Sequence, residues 1–298
     1  MPQDEARLVG EAAAVVGEAP LWSAAEQALY WLDTMQRRLF RFRDGVTEQR
    51  DLPYRPSCLA PLEGTGLLVG YKKGIGLFDF ESGRAVQLPI AGADLGEVSF
   101  NDGICDAAGR LWIGTRHREA SAPVGALYKV DGDLAVTRMR DGLVVSNGIA
   151  FSPDGRRMYH ADSRPGRIDA YDFDVRAGTL SAPRVLIDYA GKGRRPDGCT
   201  VDAEGFLWVA EIDGWRVARY DPEGRLVREI MLPVQKPSSV AFGGQRFETL
   251  FITSISYGLD AAARAAQPAA GRTMAIEPGV HGLPEHPFRG AAAVFPPH

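Results

Sequence analysis

Cysteines, long apolar runs and long basic runs are all scarce in this sequence. Its cysteines are Cys58, Cys105 and Cys199, and separations of 47 and 94 residues match no zinc-binding or redox motif, so we expect buried, reduced thiols. No apolar run approaches the about 20 residues that span a membrane, and the polar start MPQDEARLVG is unlike a signal peptide. With a net charge of −4 and no basic run, the sequence predicts a cytoplasmic protein that binds neither nucleic acid nor membranes.

Helical periodicity is also lacking over any useful length, which argues against a coiled coil or a βαβ fold. The 298 residues instead include 34 glycines and 20 prolines, which suit many short strands joined by tight turns. Apolar residues make up 45% of the chain, enough for a large core. These counts favour an all-β protein, and a chain of this length can form one such domain.

A short apolar segment recurs six times along the chain. The copies lie at residues 29–33, 67–71, 111–115, 158–162, 207–211 and 250–254. Their first residues are 38, 44, 47, 49 and 43 positions apart, a spacing typical of four-stranded propeller blades. A second segment follows each copy, and most of these alternate apolar and polar residues as half-buried strands do. We therefore predict a six-bladed β-propeller with four-stranded blades that forms a single domain over residues 1–298.

The last repeat has no obvious fourth strand in sequence order. Residues 6–9 or residues 292–295 could supply it, so that a terminal strand closes the ring and few strand edges stay exposed. The alanine-rich stretch 260–270 interrupts the repeat pattern, and we predict that it forms a short helix capping the ring.

A third series of segments lies just upstream of the first, and each copy begins with a polar residue. These residues, which we call the inner ring, are Glu18, Ser57, Asn101, Asn147, Asp197 and Ser238. The first strand of each propeller blade lines the central channel, so the six side chains should meet at the channel mouth. Two carboxylates and two carboxamides are costly to bury without partners, and a bound divalent cation would satisfy them. Alternatively they hold only water, since Asn-Gly and Asp-Gly are also common turn signals.

Four segments of the chain resemble the gluconolactonase family, which includes regucalcin (senescence marker protein). They are residues 17–22, 100–103, 146–155 and 196–198. The resemblance implies a six-bladed propeller in which Glu18, Asn147 and Asp197 bind one divalent metal ion. All these ligands are oxygens, which favours Ca²⁺, Mg²⁺ or Mn²⁺, although Zn²⁺ and Fe²⁺ also accept carboxylates. The resemblance also implies that Asn101 contacts the substrate or a water on the metal, and that Glu119 contacts the substrate.

The chain departs from the family at one position. Animal members carry an arginine two residues before the Asn-Asp-Gly motif, where this chain has Ser99. That arginine contacts sugar hydroxyls in the family, so its replacement leaves the identity of the sugar open. Arg116, His117 or Arg118 on the neighbouring loop could compensate. We therefore include Ser99 and His117 among the candidate substrate-binding residues.

These observations predict a metal-dependent sugar lactonase that opens an aldonolactone of the gluconolactone, xylonolactone or arabinonolactone type. The metal would polarise the lactone carbonyl, and Asp197 is the candidate general base for the attacking water. We expect a monomer or a weak homo-oligomer. Two alternatives remain open: a metal-dependent esterase or phosphotriesterase with a more apolar pocket, and a non-catalytic calcium-binding regulatory propeller in which the ring is only structural.

Overall fold

Turns built on aspartate and glycine fold the repeats into antiparallel meanders. In the third repeat, the backbone N–H of Gly109 donates to the backbone oxygen of Asp106 at 2.8 Å. Gly109 has a φ of 84°, which glycine adopts without strain. The carboxylate of Asp106 also accepts the indole N–H of Trp112 at 2.8 Å, and Asp202 accepts that of Trp208 at the same distance. Each of these turns is therefore tied to a core side chain of the strand that follows it.

The computed structural model describes residues 5–290 and residue 295, which form six four-stranded antiparallel sheets. Blade 1 contains β2 (Gly17–Ser23), β3 (Ala28–Asp33), β4 (Arg38–Arg43) and β5 (Val46–Asp51). Blade 2 contains β6 (Pro56–Pro61), β7 (Leu67–Tyr71), β8 (Gly74–Phe78) and β9 (Ala85–Leu88). Blade 3 contains β10 (Val98–Cys105), β11 (Leu111–His117), β12 (Gly125–Val130) and β13 (Val136–Leu143).

The remaining three sheets continue the same order around the ring. Blade 4 contains β14 (Ser146–Phe151), β15 (Arg157–Asp162), β16 (Arg167–Asp174) and β17 (Thr179–Asp188). Blade 5 contains β18 (Arg195–Val201), β19 (Leu207–Ile212), β20 (Arg216–Tyr220) and β21 (Leu226–Met231). Blade 6 contains β22 (Pro237–Gly243), β23 (Thr249–Ser254), β24 (Arg272–Ile276) and β1 (Arg7–Ala13). The predicted six-bladed β-propeller is confirmed.

The N-terminal strand closes the ring. β1 pairs antiparallel with β24, for example Leu8 with Met274, and so becomes the fourth strand of blade 6. This confirms the first of the two predicted closing segments, residues 6–9. The second, residues 292–295, lies outside the described residues apart from Phe295. The pairing of β1 with β24 ties the first repeat to the last and closes the ring formed by the described strands.

The predicted short helix is present between β23 and β24. It is α1 (Ala261–Ala266), and the side chain of Asp260 caps it by accepting the backbone N–H of Ala263 at 2.8 Å. In the part of the chain that the structure describes, no helix has the length and apolarity needed to cross a bilayer.

The core consists of side chains packed between neighbouring blades. Trp31, Trp112 and Trp208, each from the second strand of its blade, are fully buried. Cys58, Cys105 and Cys199 are buried free thiols, as predicted. Because each blade buries both faces against its neighbours, the inner strands are held rigidly around the channel.

Candidate active site

The Asn-Gly and Asp-Gly steps lie inside the inner strands and not in turns. The pairing of β14 with β15 shifts between Asn147 and Ile149, and similar irregularities interrupt β10 and β18. A Cβ atom on Gly148 would lie 2.5 Å from the backbone oxygen of Asp197 on the next inner strand. Glycine is therefore required here by the close approach of neighbouring strands, as is common at β-bulges.

A cavity of about 390 Å³ opens at the end of the channel where the inner strands begin, within the size range of small-molecule sites. Five members of the inner ring line it: Glu18, Ser57, Asn101, Asn147 and Asp197. The sixth, Ser238, is fully buried and donates to the backbone oxygen of Gly17 at 2.5 Å. Ser238 therefore holds blade 6 against blade 1.

A second set of lining residues, which we call the outer ring, was not predicted from the sequence apart from Arg116. It comprises Thr34, Lys72, Arg116, Ser163, Ile212 and Ile255. Each of these residues comes directly after the recurrent apolar segment of its repeat. Alignment of the six segments could therefore have predicted the set. The outer ring is polar or cationic on blades 1 to 4 and apolar on blades 5 and 6.

Three carboxyl groups share the cavity and disfavour each other's charge. Burial, followed by the charge of Asp102, raises the pKa of Glu18 to about 8. Burial raises the pKa of Asp102 to about 6. Asp197 is only 3% exposed, and burial followed by the charge of Glu18 raises its pKa well above the usual range. A divalent cation among these groups would favour their charged forms and reverse the shifts.

Two carboxamides link this acidic group to the outer ring. The Asn147 amide donates to Ser163 Oγ at 2.7 Å, and its oxygen accepts a hydrogen bond from Asn101 Nδ2. Asn101 Oδ1 in turn accepts from Lys72 Nζ at 3.1 Å. The chain of hydrogen bonds fixes the orientation of both carboxamides.

The structure brings the three predicted metal ligands, Glu18, Asn147 and Asp197, to one cavity. Within the described ranges, no group of three or more His, Cys, Asp or Glu side chains lies at metal-ligand spacing. The predicted set therefore depends on the carboxamide of Asn147 in addition to the carboxylates. A donor set made of oxygens, in buried carboxylates whose charge is otherwise costly, fits a hard divalent cation.

The four candidate substrate-binding residues are not all at the cavity. Asn101 lines it, whereas Ser99, His117 and Glu119 lie outside its lining. Glu119 is exposed, and the His117 ring nitrogen Nδ1 lies 3.2 Å from Ser121 Oγ. A role in substrate binding for these three residues stays a prediction.

Arginine side chains enter the cavity from several blades. Arg116 lines it, whereas Arg118 is exposed and lies outside its lining, so Arg116 is the better placed to replace the family arginine at Ser99. Arg55 and Arg195 also line the cavity. Both stand two residues before an inner-ring residue, which is the position that Ser99 has in blade 3.

Comparisons with known proteins agree with this architecture. Residues 16–256 match the family described as SMP-30/Gluconolactonase/LRE-like region. The chain is 37% identical over 279 residues to the 6-deoxy-6-sulfogluconolactonase of Pseudomonas putida, covering 93% of this chain and 96% of that protein. It is 32% identical over 282 residues to the regucalcin of Danio rerio, covering 92% and 95%. The crystal structure of a calcium-binding protein, regucalcin, from Agrobacterium tumefaciens superposes with a TM-score of 0.89 at 30% identity, covering 96% of this chain and 97% of that chain. The chain therefore belongs to the SMP-30/gluconolactonase/LRE-like family.

Proposed function

We propose that this protein is a metal-dependent lactonase that hydrolyses an aldonolactone to the aldonic acid. The observation that carries the proposal is the convergence of Glu18, Asn147 and Asp197 in one cavity of small-molecule size. Membership of the family supports a lactone as the substrate, since a relative with 37% identity is named as a lactonase.

Glu18, Asn147 and Asp197 would hold the ion, which we propose is Ca²⁺, Zn²⁺, Mn²⁺, Mg²⁺ or Fe²⁺. The raised pKa values of Glu18 and Asp197 support this, because two buried carboxyl groups in mutual repulsion need a compensating positive charge. When bound, the ion supplies the Lewis acidity that polarises a lactone carbonyl. Three protein ligands leave coordination positions open for a substrate.

The protein side chains provide the proton transfer and the positioning. Asp197 accepts the proton of the attacking water, whose oxygen forms the bond to the carbonyl carbon. The bond between that carbon and the ring oxygen then breaks, and the ring oxygen takes the proton back from Asp197 to become the hydroxyl of the product. Asn101, oriented by Lys72, contacts the bound lactone. Ile212 and Ile255 line the cavity on blades 5 and 6, and these apolar side chains keep water away from the sugar.

A proton-release assay on aldonolactones tests the proposal. The full chain is treated with a chelator, supplied with one divalent metal at a time, and offered gluconolactone, xylonolactone, arabinonolactone and a sulfonated lactone. We expect ring opening only with metal, and a loss of at least about 100-fold in Asp197→Asn, the range of general-base catalysis. Asp172→Asn, which changes an exposed aspartate on blade 4, is the matched control.

Two outcomes would overturn the proposal. Full activity in Asp197→Asn would remove the assigned base. If no lactone opens with any metal while Ca²⁺ still binds, a regulatory propeller becomes the better account of the cavity.

A further inference from the structure

Five cationic side chains line the cavity, and we call the four that lie on three consecutive blades the basic wall. They are Arg55 and Lys72 on blade 2, Arg116 on blade 3 and Arg164 on blade 4. Blades 5 and 6, which lie across the six-membered ring from blades 2 and 3, contribute Ile212 and Ile255 at the outer-ring positions, and blade 5 also contributes Arg195. The outer ring is therefore cationic at Lys72 and Arg116 and apolar at Ile212 and Ile255 across the cavity.

The arginines of the basic wall differ from Arg195 in their ion pairs. Within the described residues, no carboxylate forms an ion pair with Arg55, Arg116 or Arg164. By contrast, Arg195 lines the same cavity but pairs with Asp213 at 2.9 Å. Arg55 Nε donates to the backbone oxygen of Thr34 at 2.9 Å, but this neutral acceptor does not cancel the charge of the guanidinium.

The members of the wall also repel one another. Burial lowers the pKa of Arg116, and the charges of Arg55 and Arg164 lower it further, against the attraction of Asp197. Burial, followed by Arg116 and Arg55, lowers the pKa of Lys72 to about 7. A divalent ion held by Glu18 and Asp197 would neutralise the charge of these carboxylates, so they would not offset the repulsion within the wall. A negatively charged ligand would offset it, and a neutral one would not.

The wall offers only hydrogen-bond donors. Guanidinium and ammonium groups have no acceptor, whereas each hydroxyl of a neutral sugar both donates and accepts. Glu119, the acidic contact that the family resemblance implies, is exposed and lies outside the cavity lining. A sulfonate or phosphate group presents three terminal oxygens that accept, and it matches a wall of arginines.

Two inner-ring side chains are more deeply buried than the arginines of the basic wall, and this difference indicates which end of a substrate contacts the wall. Asn147 and Asp197 of the inner ring are buried, whereas Arg55 and Arg164 are exposed at the cavity mouth. Arg116 is half-buried between these levels. A lactone whose carbonyl reaches the inner ring therefore points its far end at the wall.

We propose that the substrate is an aldonolactone that carries a sulfonate or phosphate group on the carbon farthest from the carbonyl, and that Arg116, Arg55 and Arg164 bind this group. The inference rests on the lactonase function proposed above. Ile212 and Ile255 pack against the apolar face of the sugar ring.

Matched lactones test the substrate class. The metal-loaded full chain is given gluconolactone, its 6-sulfo derivative and its 6-phospho derivative, and kcat/KM is measured for each. We expect at least one anionic lactone to exceed the neutral one by about tenfold or more, as two or three charge-assisted hydrogen bonds provide. A neutral lactone that is opened as efficiently as both anionic ones would overturn the proposal.

Two variants test the assigned residues. Arg116→Gln should lower the ratio of anionic to neutral kcat/KM by about tenfold or more. Arg118→Gln changes an exposed arginine two positions along the chain that lies outside the cavity lining, and it should keep the wild-type ratio. An unchanged ratio in Arg116→Gln would remove Arg116 from the anion site.

A binding measurement separates failure of this inference from failure of the lactonase proposal. The rise in melting temperature is recorded with gluconate, 6-sulfogluconate and 6-phosphogluconate. If the two anionic derivatives stabilise the wild type more than Arg116→Gln but no lactone opens, the anion site stands and the lactonase proposal fails. If neutral lactones open but the derivatives stabilise no more than gluconate does, the lactonase stands and the anion site fails. The derivative that raises the melting temperature more shows whether the site prefers a sulfonate or a phosphate group.

Discussion

Ser99 and Arg116 pair directly across strands β10 and β11 of blade 3. Residues opposite each other in an antiparallel pair project from the same face of the sheet, with Cβ atoms about 5 Å apart. Animal family members carry an arginine at the Ser99 position. In this chain Arg116 stands opposite that position on the neighbouring strand, and it lines the cavity. Arg116 would therefore supply a positive charge at this point of the site from the neighbouring strand.

Exchanging the two residues tests whether the charge can act from either strand. Arg116→Ser alone should lower kcat/KM for the preferred lactone by about tenfold, because it removes a charge-assisted contact. Adding Ser99→Arg to this variant should recover most of the loss, since the new guanidinium projects from the same face of the sheet. Steady-state kinetics of the wild type, Arg116→Ser and the double variant provide the comparison. No recovery would mean that the position of the charge, and not its presence, decides activity.

Gly148 tests the close packing of the inner strands. A Cβ atom there would lie 2.5 Å from the backbone oxygen of Asp197 and 2.8 Å from Cys199 Sγ. Gly148→Ala should therefore cost about 1–3 kcal/mol of unfolding free energy through overpacking, and it should weaken metal binding by displacing Asp197. Urea unfolding and metal titration measure the two effects.

Gly96→Ala is the control for this variant, because its Cβ would meet nothing closer than Asp94 Oδ1 at 3.5 Å. It should stay within about 0.5 kcal/mol of the wild type. Equal stabilities of Gly148→Ala and Gly96→Ala would show that the inner strands can move apart.

The fold and the inner ring could be predicted from the sequence because both follow from one repeat register. Once the apolar segments are aligned, Glu18, Asn147 and Asp197 must stand at equivalent places around a closed ring. The contribution of the loops could not be predicted in this way. Glu119 lies outside the cavity lining while its neighbour Ala120, at a φ of 54°, lines it. A non-glycine residue with positive φ has no reliable sequence signal, so the direction of that loop is set by its surroundings.

Metal binding should stabilise the folded chain. Addition of a divalent ion at about 100 times its dissociation constant raises the free energy of unfolding by about 2.7 kcal/mol when only the folded state binds. The chelated wild type should therefore melt at a higher temperature after metal is restored. Glu18→Gln should lose most of this rise, because it replaces a proposed ligand charge with a neutral amide. Glu11→Gln, an exposed position on β1, should keep the full rise; an equal rise in Glu18→Gln would exclude Glu18 as a ligand.

The burial of His160 predicts how the free energy of unfolding changes at low pH. It is 1% exposed on β15, and its Nε2 lies 2.7 Å from Ser146 Oγ. Its Nδ1 is buried and has no hydrogen-bond partner among the described residues. Burial, followed by the charges of Arg140 and Arg167, lowers its pKa from 6.5 to about 3. Below about pH 6.5 the His160 imidazole therefore binds a proton in the unfolded chain but not in the folded chain. Stability contributed by neutral His160 is present above that pH and is lost as the pH falls towards 3, by at most about 1.4 kcal/mol per pH unit.

The substitution His160→Gln isolates this effect, since glutamine can keep a hydrogen bond to Ser146 without titrating. Urea unfolding between pH 8 and pH 4 should show a steeper fall in unfolding free energy for the wild type than for the variant below pH 6.5. Between pH 7 and pH 8 the two proteins should show the same slope, because histidine is neutral in both states there. Parallel curves over the whole range would mean that His160 takes up its proton in the folded protein, and that the strand pair β14–β15 opens to admit it.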